Sequence, residues 1–134
     1  MIVVDTNVLV HLLLEGERST VAEQVMAQDP EWAAPLLARS ELRNALATWM
    51  RRGVLSLDAA LLAVRNAEVR MRGLLYAVPS RDVLELAERS GCTAYDCEFV
   101  ALAKLLGTRL VTGDREVLAA FPDAAVSPEA FVAR

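Results

Sequence analysis

The sequence predicts an α/β protein with a mostly parallel central sheet flanked by helices. Short apolar segments that suit buried strands alternate with longer segments whose apolar residues recur at helical spacing. Glycines and prolines separate these segments, and no internal repeat or low-complexity tract interrupts them. Because 134 residues, 54% of them hydrophobic, suffice for one sizeable core, we predict a single domain over residues 1–134.

Five segments are predicted to be strands. The first, Ile2–Val4, is uniformly apolar and leads directly into the polar residues Asp5, Thr6 and Asn7. Strands joined by helices pair in parallel and are covered on both faces, which is why such a strand carries no polar residue. The other predicted strands cover residues 32–36, 74–78, 109–111 and 124–126.

Seven segments are predicted to be helices, over residues 8–14, 19–27, 40–52, 57–71, 82–89, 95–106 and 114–121. Ser80 is predicted to cap the fifth of them. In the fourth, the apolar residues at helical spacing are expected to form the buried stripe: Leu57, Leu61, Val64, Ala67 and Met71. Two helices in succession after the second strand indicate a helical arm beside the sheet.

Composition excludes several classes of protein. No run of about 18 uncharged apolar residues is present, so we expect no membrane span. The first ten residues lack the basic start and small-residue cleavage site of a secretion signal, and we expect a cytoplasmic protein. Cys92 and Cys97 form no CxxC pair, which argues against a zinc or redox motif and favours free thiols.

The net charge of −4 is unevenly distributed along the chain. Residues 39–80 carry seven arginines and three acids, whereas both flanking segments are acidic. A basic middle with acidic flanks suits a protein that holds a metal with carboxylates and a polyanion with arginines. The alternative is that the arginines only form the solvated faces of helices.

Four acids occupy comparable positions, each near the end of a predicted strand or the start of the following helix. They are Asp5, Glu41, Asp96 and Asp114. Taken singly, each has a structural explanation, because acids are favoured as helix caps and in the first helical turn. Thr93 and Asp96 also fit a capping box. Taken together, however, all four lie where an α/β topology brings the chain to one edge of the sheet, and ligands bind at that edge.

Such a cluster needs a cation. Two carboxylates about 4 Å apart repel by roughly 4 kcal/mol at an effective dielectric near 20, so a bound cation or shared protons must offset the charge. His11 is the only histidine, and Cys92 and Cys97 form no metal-binding pair with each other. All-oxygen ligation favours Mg²⁺ or Mn²⁺ over zinc. His11 itself is expected to be an ordinary packed or surface side chain.

The same residues carry a family resemblance. The segments DTNVLV, RSELRNAL, TAYDCEFVALAKLLG and LVTGDREVL resemble, in order and spacing, the four signature segments of PIN-domain nucleases, and most closely those of the VapC toxins. The resemblance spans nearly the whole chain. It implies the PIN-like three-layer fold, magnesium-dependent RNA cleavage, a homodimer, and a small VapB-like antitoxin that occupies the groove.

The resemblance also implies roles for individual residues. Asp5, Glu41, Asp96 and Asp114 become the acidic catalytic site, with Asp5 and Asp96 as the most direct metal ligands. Thr112 is a supporting hydroxyl beside Asp114, and the polar pair Thr6 and Asn7 supports the same site.

The chemistry of phosphodiester hydrolysis requires the same elements. A water must lose its proton near neutral pH and the developing negative charge must be neutralised, and one or two divalent ions can do both. Glu41 and Asp114 would then ligate through water or orient the attacking water. Arg39 and Arg43, two residues on either side of Glu41, are candidates to contact substrate phosphates, or alternatively to screen Glu41.

Four other functions are alternatives to a metal-dependent toxin nuclease. A phosphoacceptor receiver domain needs a lysine at a late strand end, but the only lysine, Lys104, lies inside a predicted helix. A haloacid-dehalogenase-like phosphatase needs D-x-D where this chain has D-T-N. A catalytically silent PIN-fold binding module and a housekeeping PIN nuclease in RNA processing are the nearer alternatives to a toxin.

Overall fold

A computed structural model describes all 134 residues of the chain. Five parallel strands form one sheet in the order β3-β2-β1-β4-β5. In register, Ile2 lies opposite Trp32, and Val3 opposite Leu110. The strands are β1 (Ile2–Val4), β2 (Trp32–Pro35), β3 (Leu75–Tyr76), β4 (Leu110–Val111) and β5 (Ala125–Val126). The predicted α/β class with a parallel sheet is therefore confirmed.

Eight helices flank this sheet. They are α1 (Thr6–Leu13), α2 (Ser19–Gln28), α3 (Leu37–Arg51), α4 (Leu57–Arg70), α5 (Ser80–Ser90), α6 (Ala94–Leu105), α7 (Arg115–Ala120) and α8 (Pro128–Val132). Helix α6 packs across strands β1, β2 and β4, and α5 packs on α6. None of the helices combines the length and apolar character that a bilayer crossing requires.

Strand β1 lies at the centre of the sheet and of the core. Its residues Val3 and Val4 are at most 1% exposed, as is Val100 of the covering helix α6. Helix α6 buries an almost continuous run, from Phe99 to Ala103, because it lies under three strands at once. The apolar start of the chain therefore fixes the position of Asp5, the residue that follows β1.

The helical arm formed by α3 and α4 corrects one prediction. Leu57 and Leu61, predicted to form a buried stripe, are each more than half exposed. The buried face of α4 consists of Ala60, Ala63 and Ala67. The predicted stripe is therefore confirmed at Ala67 and at Met71, the residue that follows the helix, and wrong at Leu57 and Leu61. Alanines permit close approach of α4 to its neighbours, whereas spacing alone does not tell which of two apolar faces packs inward.

Helix boundaries correct three further predictions. Helix α3 begins at Leu37 rather than at residue 40, and Ser80 is the first residue of α5 rather than its cap. Helix α8 was not predicted, although Ser127 caps it and Pro128 occupies its first turn, both regular start signals. Cys92 and Cys97 are buried free thiols, as predicted.

Gly91 ends α5 in the left-handed conformation, with φ of 75°. Gly91→Ala should lower the free energy of unfolding by about 1–2 kcal/mol, because a Cβ disfavours this conformation. Urea denaturation measures the change. Gly16→Ala is the matched control, since Gly16 has no positive φ and an added Cβ there meets no atom within 4 Å. Equal losses for both variants would contradict the conformational explanation.

Candidate active site

The four predicted acids line one cavity of about 430 Å³ at the carboxyl-terminal edge of the sheet. Asp5 follows β1, and Asp114 follows β4, the neighbouring strand. Glu41 lies on α3, which follows β2, and Asp96 lies in the first turn of α6. The remaining lining residues are Thr6, Asn7, Leu37, Ser40, Asn44, Ala45 and Tyr95.

Asp5 occupies the cap position of α1, but its side chain makes no capping hydrogen bond. Its Oδ2 instead accepts a hydrogen bond of 2.6 Å from Oγ1 of Thr112, a residue with no exposed surface. The alternative that Asp5 is a helix cap is therefore wrong as far as its side chain is concerned. Burial raises the pKa of Asp5 above its usual range, and the charges of Asp96 and Asp114 add to that effect, while the Thr112 bond opposes it.

Thr112 joins two of the acids. Besides donating to Asp5, its Oγ1 accepts a hydrogen bond of 3.0 Å from the backbone N–H of Asp114. One hydroxyl thus connects the residue after β1 with the loop after β4. Thr112 does not line the cavity. Its hydroxyl contacts the acids from the buried side, away from the cavity.

Thr112→Val is expected to lower the free energy of unfolding by about 1–3 kcal/mol, because it leaves a buried carboxylate oxygen and an amide without their partner. Chemical denaturation measures this loss. Thr108→Val is the matched control, since the Thr108 hydroxyl donates to the Met1 carbonyl in an exposed setting. A loss for Thr112→Val no larger than that for the control would contradict a buried role.

Glu41 is held by the first residue of α1. Oγ1 of Thr6 donates a hydrogen bond of 2.7 Å to its Oε1, which gives Thr6 a supporting contact. The predicted start at residue 40 would place Glu41 in the first helical turn. Because α3 begins at Leu37, Glu41 lies in the second turn. Burial raises its pKa; the Thr6 bond opposes this rise and neighbouring acids, including Glu98, add to it. Glu98 is a contributor that the sequence patterns did not single out.

Asp96 lies at the start of α6, where Thr93 caps the helix. The Thr93 Oγ1 accepts a hydrogen bond of 3.1 Å from the backbone N–H of Asp96, which is one of the two hydrogen bonds of the predicted capping box. Burial raises the pKa of the Asp96 carboxyl, against the effect of a hydrogen bond from Thr93, and the charge of Asp114 raises it further. The cap and the acidic cavity therefore use the same residue.

Asp114 also combines two roles. Its Oδ1 caps α7 by accepting hydrogen bonds of 2.9 Å and 3.2 Å from the backbone N–H groups of Glu116 and Val117. The helix-cap explanation is therefore correct for Asp114, and it coexists with a place in the cavity. Oδ2 takes no part in the cap.

No cation of the protein neutralises these four acids. The ion pairs of the molecule involve other carboxylates, those of Asp29, Glu85, Asp123 and Glu129. No lysine or arginine lines the cavity either. Burial is the largest cause of the raised pKa of Asp5, Glu41 and Asp96, and the charges of neighbouring acids add to it. Carboxylates that lie together without an internal cation favour binding of a cation from solution.

The donor set suits a magnesium-like ion. Every candidate ligand is an oxygen, and Mg²⁺ binds through one or two carboxylates while it retains several waters. No three histidine, cysteine or acidic side chains are grouped closely enough to enclose an ion by themselves. The arrangement therefore fits an ion held by two carboxylates and completed by water, rather than an all-protein cage.

Comparison with known proteins then establishes the family. The sequence model of the PIN domain family matches residues 2–124 of this chain. The chain belongs to the PIN-domain family. The predicted resemblance is confirmed, and it extends to the VapC group: the chain is 35% identical over 130 residues to Ribonuclease VapC3 of Pyrobaculum aerophilum, covering 95% of this chain and 98% of the relative.

Solved structures confirm the PIN fold. A crystal structure of a protein from Pyrobaculum aerophilum superposes with a TM-score of 0.77 at 26% identity, covering 98% of this chain and 93% of the other. A toxin–antitoxin complex from Klebsiella pneumoniae contains a chain with a TM-score of 0.67 at 19% identity, covering 96% and 98%. At that identity the second comparison concerns the fold alone.

In this PIN domain the two predicted arginines are not in the acidic cavity. Arg39 and Arg43 line a separate, mostly apolar cavity of about 60 Å³ together with Leu9, Leu42 and Met71, among others. Residues two apart on a helix point in nearly opposite directions, so neither can flank Glu41 from the same face. The suggestion that they screen Glu41 is wrong, since neither forms an ion pair. Their contact with substrate stays a prediction.

Proposed function

We propose that this PIN domain is the toxin of a type II toxin–antitoxin system, a divalent-metal-dependent endoribonuclease that hydrolyses RNA phosphodiester bonds. The observation that carries the proposal is the cavity itself, where four carboxylates from four segments of the chain meet without a lysine or arginine. Its supporting argument is membership of a family whose similar member is named Ribonuclease VapC3.

In this proposal Asp5 and Asp96 hold the ion, Mg²⁺ or Mn²⁺. Burial raises the pKa of both carboxyls, as it does for Glu41, so a nearby positive charge favours their ionised form. When bound, the ion supplies a water of lowered pKa and positive charge for the developing negative charge at phosphorus.

Glu41 and Asp114 complete the proposed chemistry. Glu41 accepts from Thr6 through Oε1 only, which leaves Oε2 for a water that attacks phosphorus or is bound to the ion. Asp114 keeps Oδ2 in the same way, because Oδ1 is engaged in capping α7. Asn7 lines the cavity with an exposed amide, which can orient the phosphate. Glu41 and Asp114 are thus each fixed through one oxygen and free through the other.

The resemblance to VapC toxins also supports two protein partners, a small VapB-like antitoxin and a second copy of the chain. Exposed leucines of the helical arm, at positions 57, 61 and 62, provide apolar surface that a partner could cover. Light scattering of the purified chain measures whether it is a dimer. A housekeeping nuclease is the alternative, and a short reading frame immediately upstream would favour the toxin.

The experiment that tests the proposed activity is cleavage of defined RNAs by purified protein. Cleavage is expected with Mg²⁺ and should cease with a chelator, because the protein has no cation of its own at the acids. Restoring Mg²⁺ in excess should restore it. Cleavage that persists both in chelator and in the Asp96→Asn variant would overturn the proposal.

A further inference from the structure

One exposed aromatic side chain, that of Tyr95, lines the acidic cavity. Tyr95 lies in the first turn of α6, directly before Asp96, and lines the same cavity. It is 63% exposed, and it is the only aromatic residue among the large apolar side chains that the surface exposes. Every other exposed residue of this kind is aliphatic, which sets Tyr95 apart.

Core packing does not explain Tyr95. Phe99, one turn further along the same face of α6, is only 3% exposed and belongs to the core. This face of α6 is therefore buried in the core at Phe99 and borders the open cavity at Tyr95. With 63% of its surface exposed, the Tyr95 side chain remains available to a ligand.

The chemistry of the cavity limits what that ligand can be. Besides the acids, its polar lining consists of Thr6, Asn7, Ser40 and Asn44, which hydrogen-bond but carry no positive charge. A polyanion gains no ion pair with these walls, so its affinity within the cavity must come from bound metal and from contacts to uncharged groups. The uncharged part of RNA is its bases, and unpaired bases stack on exposed aromatic rings.

We propose that the Tyr95 ring is a stacking platform for one unpaired base of single-stranded RNA, next to the phosphate that lies over the four acids. This inference rests on the proposed function and assigns a binding role that the acids do not supply. Tyr95 positions the strand through its ring, and a base held in a duplex cannot reach it because both of its faces are covered by neighbouring bases.

Binding of an eight-nucleotide single-stranded RNA, labelled with fluorescein and followed by anisotropy in Mg²⁺, tests the role of the ring. The protein carries Asp114→Asn throughout to slow turnover, and gels verify that the strand stays intact. Adding Tyr95→Ala should weaken binding about 5- to 150-fold, the range for loss of one stacked base. Tyr95→Phe and Tyr95→Trp should bind within about threefold of Tyr95, because they keep the ring.

Leu105→Ala is the matched control. Leu105 is the last residue of the same helix, is 52% exposed, and lies outside the cavity. Its truncation should leave binding unchanged. Equal effects of Tyr95→Ala and Leu105→Ala, or a loss in Tyr95→Phe as large as in Tyr95→Ala, would overturn the proposal.

A second probe separates stacking from other contacts. A strand of eight tetrahydrofuran phosphates has the same charge and no bases, so Tyr95→Ala should not change its affinity. An RNA duplex of the same sequence should be equally insensitive. A full Tyr95→Ala effect on either probe would show that the ring contacts the backbone or a groove, and the proposal would fail.

The two proposals fail in different ways. Tyr95-dependent binding without metal-dependent cleavage would refute the nuclease and leave the stacking site standing. Metal-dependent cleavage whose KM and kcat are both unchanged by Tyr95→Ala would refute the stacking site alone. Where both hold, Tyr95→Ala should raise KM and Tyr95→Phe should rescue it.

Discussion

Asp96→Asn should cleave RNA at least about 100-fold more slowly than the unaltered protein at saturating Mg²⁺. Substitutions one step removed from a metal already cost about 10- to 100-fold, and Asp96 is proposed to hold the ion directly. The amide retains the shape of the side chain and, through the backbone N–H, the hydrogen bond with Thr93 that caps α6. The loss should therefore arise from charge and not from unfolding, and initial cleavage rates measure it.

The control for this variant is Asp58→Asn. Asp58 is also an acid in the first turn of a helix, α4, but it lies outside the acidic cavity. Its substitution should leave the cleavage rate unchanged within about twofold. If both variants lose activity alike, general loss of negative charge is responsible; if neither does, Asp96 holds no essential ion.

The acidic cavity should make the metal-free protein less stable as the pH rises above about 4, the usual carboxyl pKa. Burial raises the pKa of Asp5, Glu41 and Asp96. The folded state therefore keeps protons that the unfolded chain, with carboxyl pKa values near about 4, has already released. Stability falls with pH through the interval between the unfolded and folded pKa values, and the whole cost is present above it.

Asp96→Asn isolates this effect from other acids. Asp123 and Glu129 have lowered pKa values, caused chiefly by backbone and arginine hydrogen bonds respectively, and contribute in the opposite direction at lower pH. They are the same in both proteins, so the melting temperature of Asp96→Asn in chelator, relative to the unaltered chain, should increase as pH rises. A difference that is constant with pH would contradict the assigned pKa direction.

Mg²⁺ should reverse the loss in the unaltered protein. At an ion concentration about 100 times its dissociation constant, binding to the folded state alone adds about 2.7 kcal/mol, on the order of 5–10 °C in melting temperature for a chain of this size. The increase should be large near pH 7, small near pH 4, and reduced in Asp96→Asn. An equal increase in both proteins at both pH values would indicate binding elsewhere.

Much of the fold could be predicted from local sequence. Strand β1 was correct to the residue because an uninterrupted apolar segment followed by polar residues has few other interpretations. The buried face of α4 was only partly correct, since the exposed Leu57 and Leu61 follow the same period as the buried Ala67 and Met71. Only contacts with the neighbouring helices decide which face packs inward, and these are not encoded in the spacing.

The candidate site was likewise predictable in part. The strand order places Asp5 and Asp114 at one edge of the sheet, so their meeting followed from topology. The partners of individual oxygens did not, because they depend on side-chain rotamers. Two features therefore could not be predicted: the hydrogen bond from Thr112 to Asp5, and the position of Arg39 and Arg43 beside another cavity.

The bond between Thr112 and Asp5 spans 107 positions of the chain. It forms only when β4, one of the later strands to be synthesised, inserts beside β1, one of the first parts to leave the ribosome. A nascent polypeptide that has not yet reached that strand lacks both Thr112 and Asp114 at the cavity. The proposed nuclease site is therefore incomplete in a nascent chain until the residues that follow β4 have been synthesised.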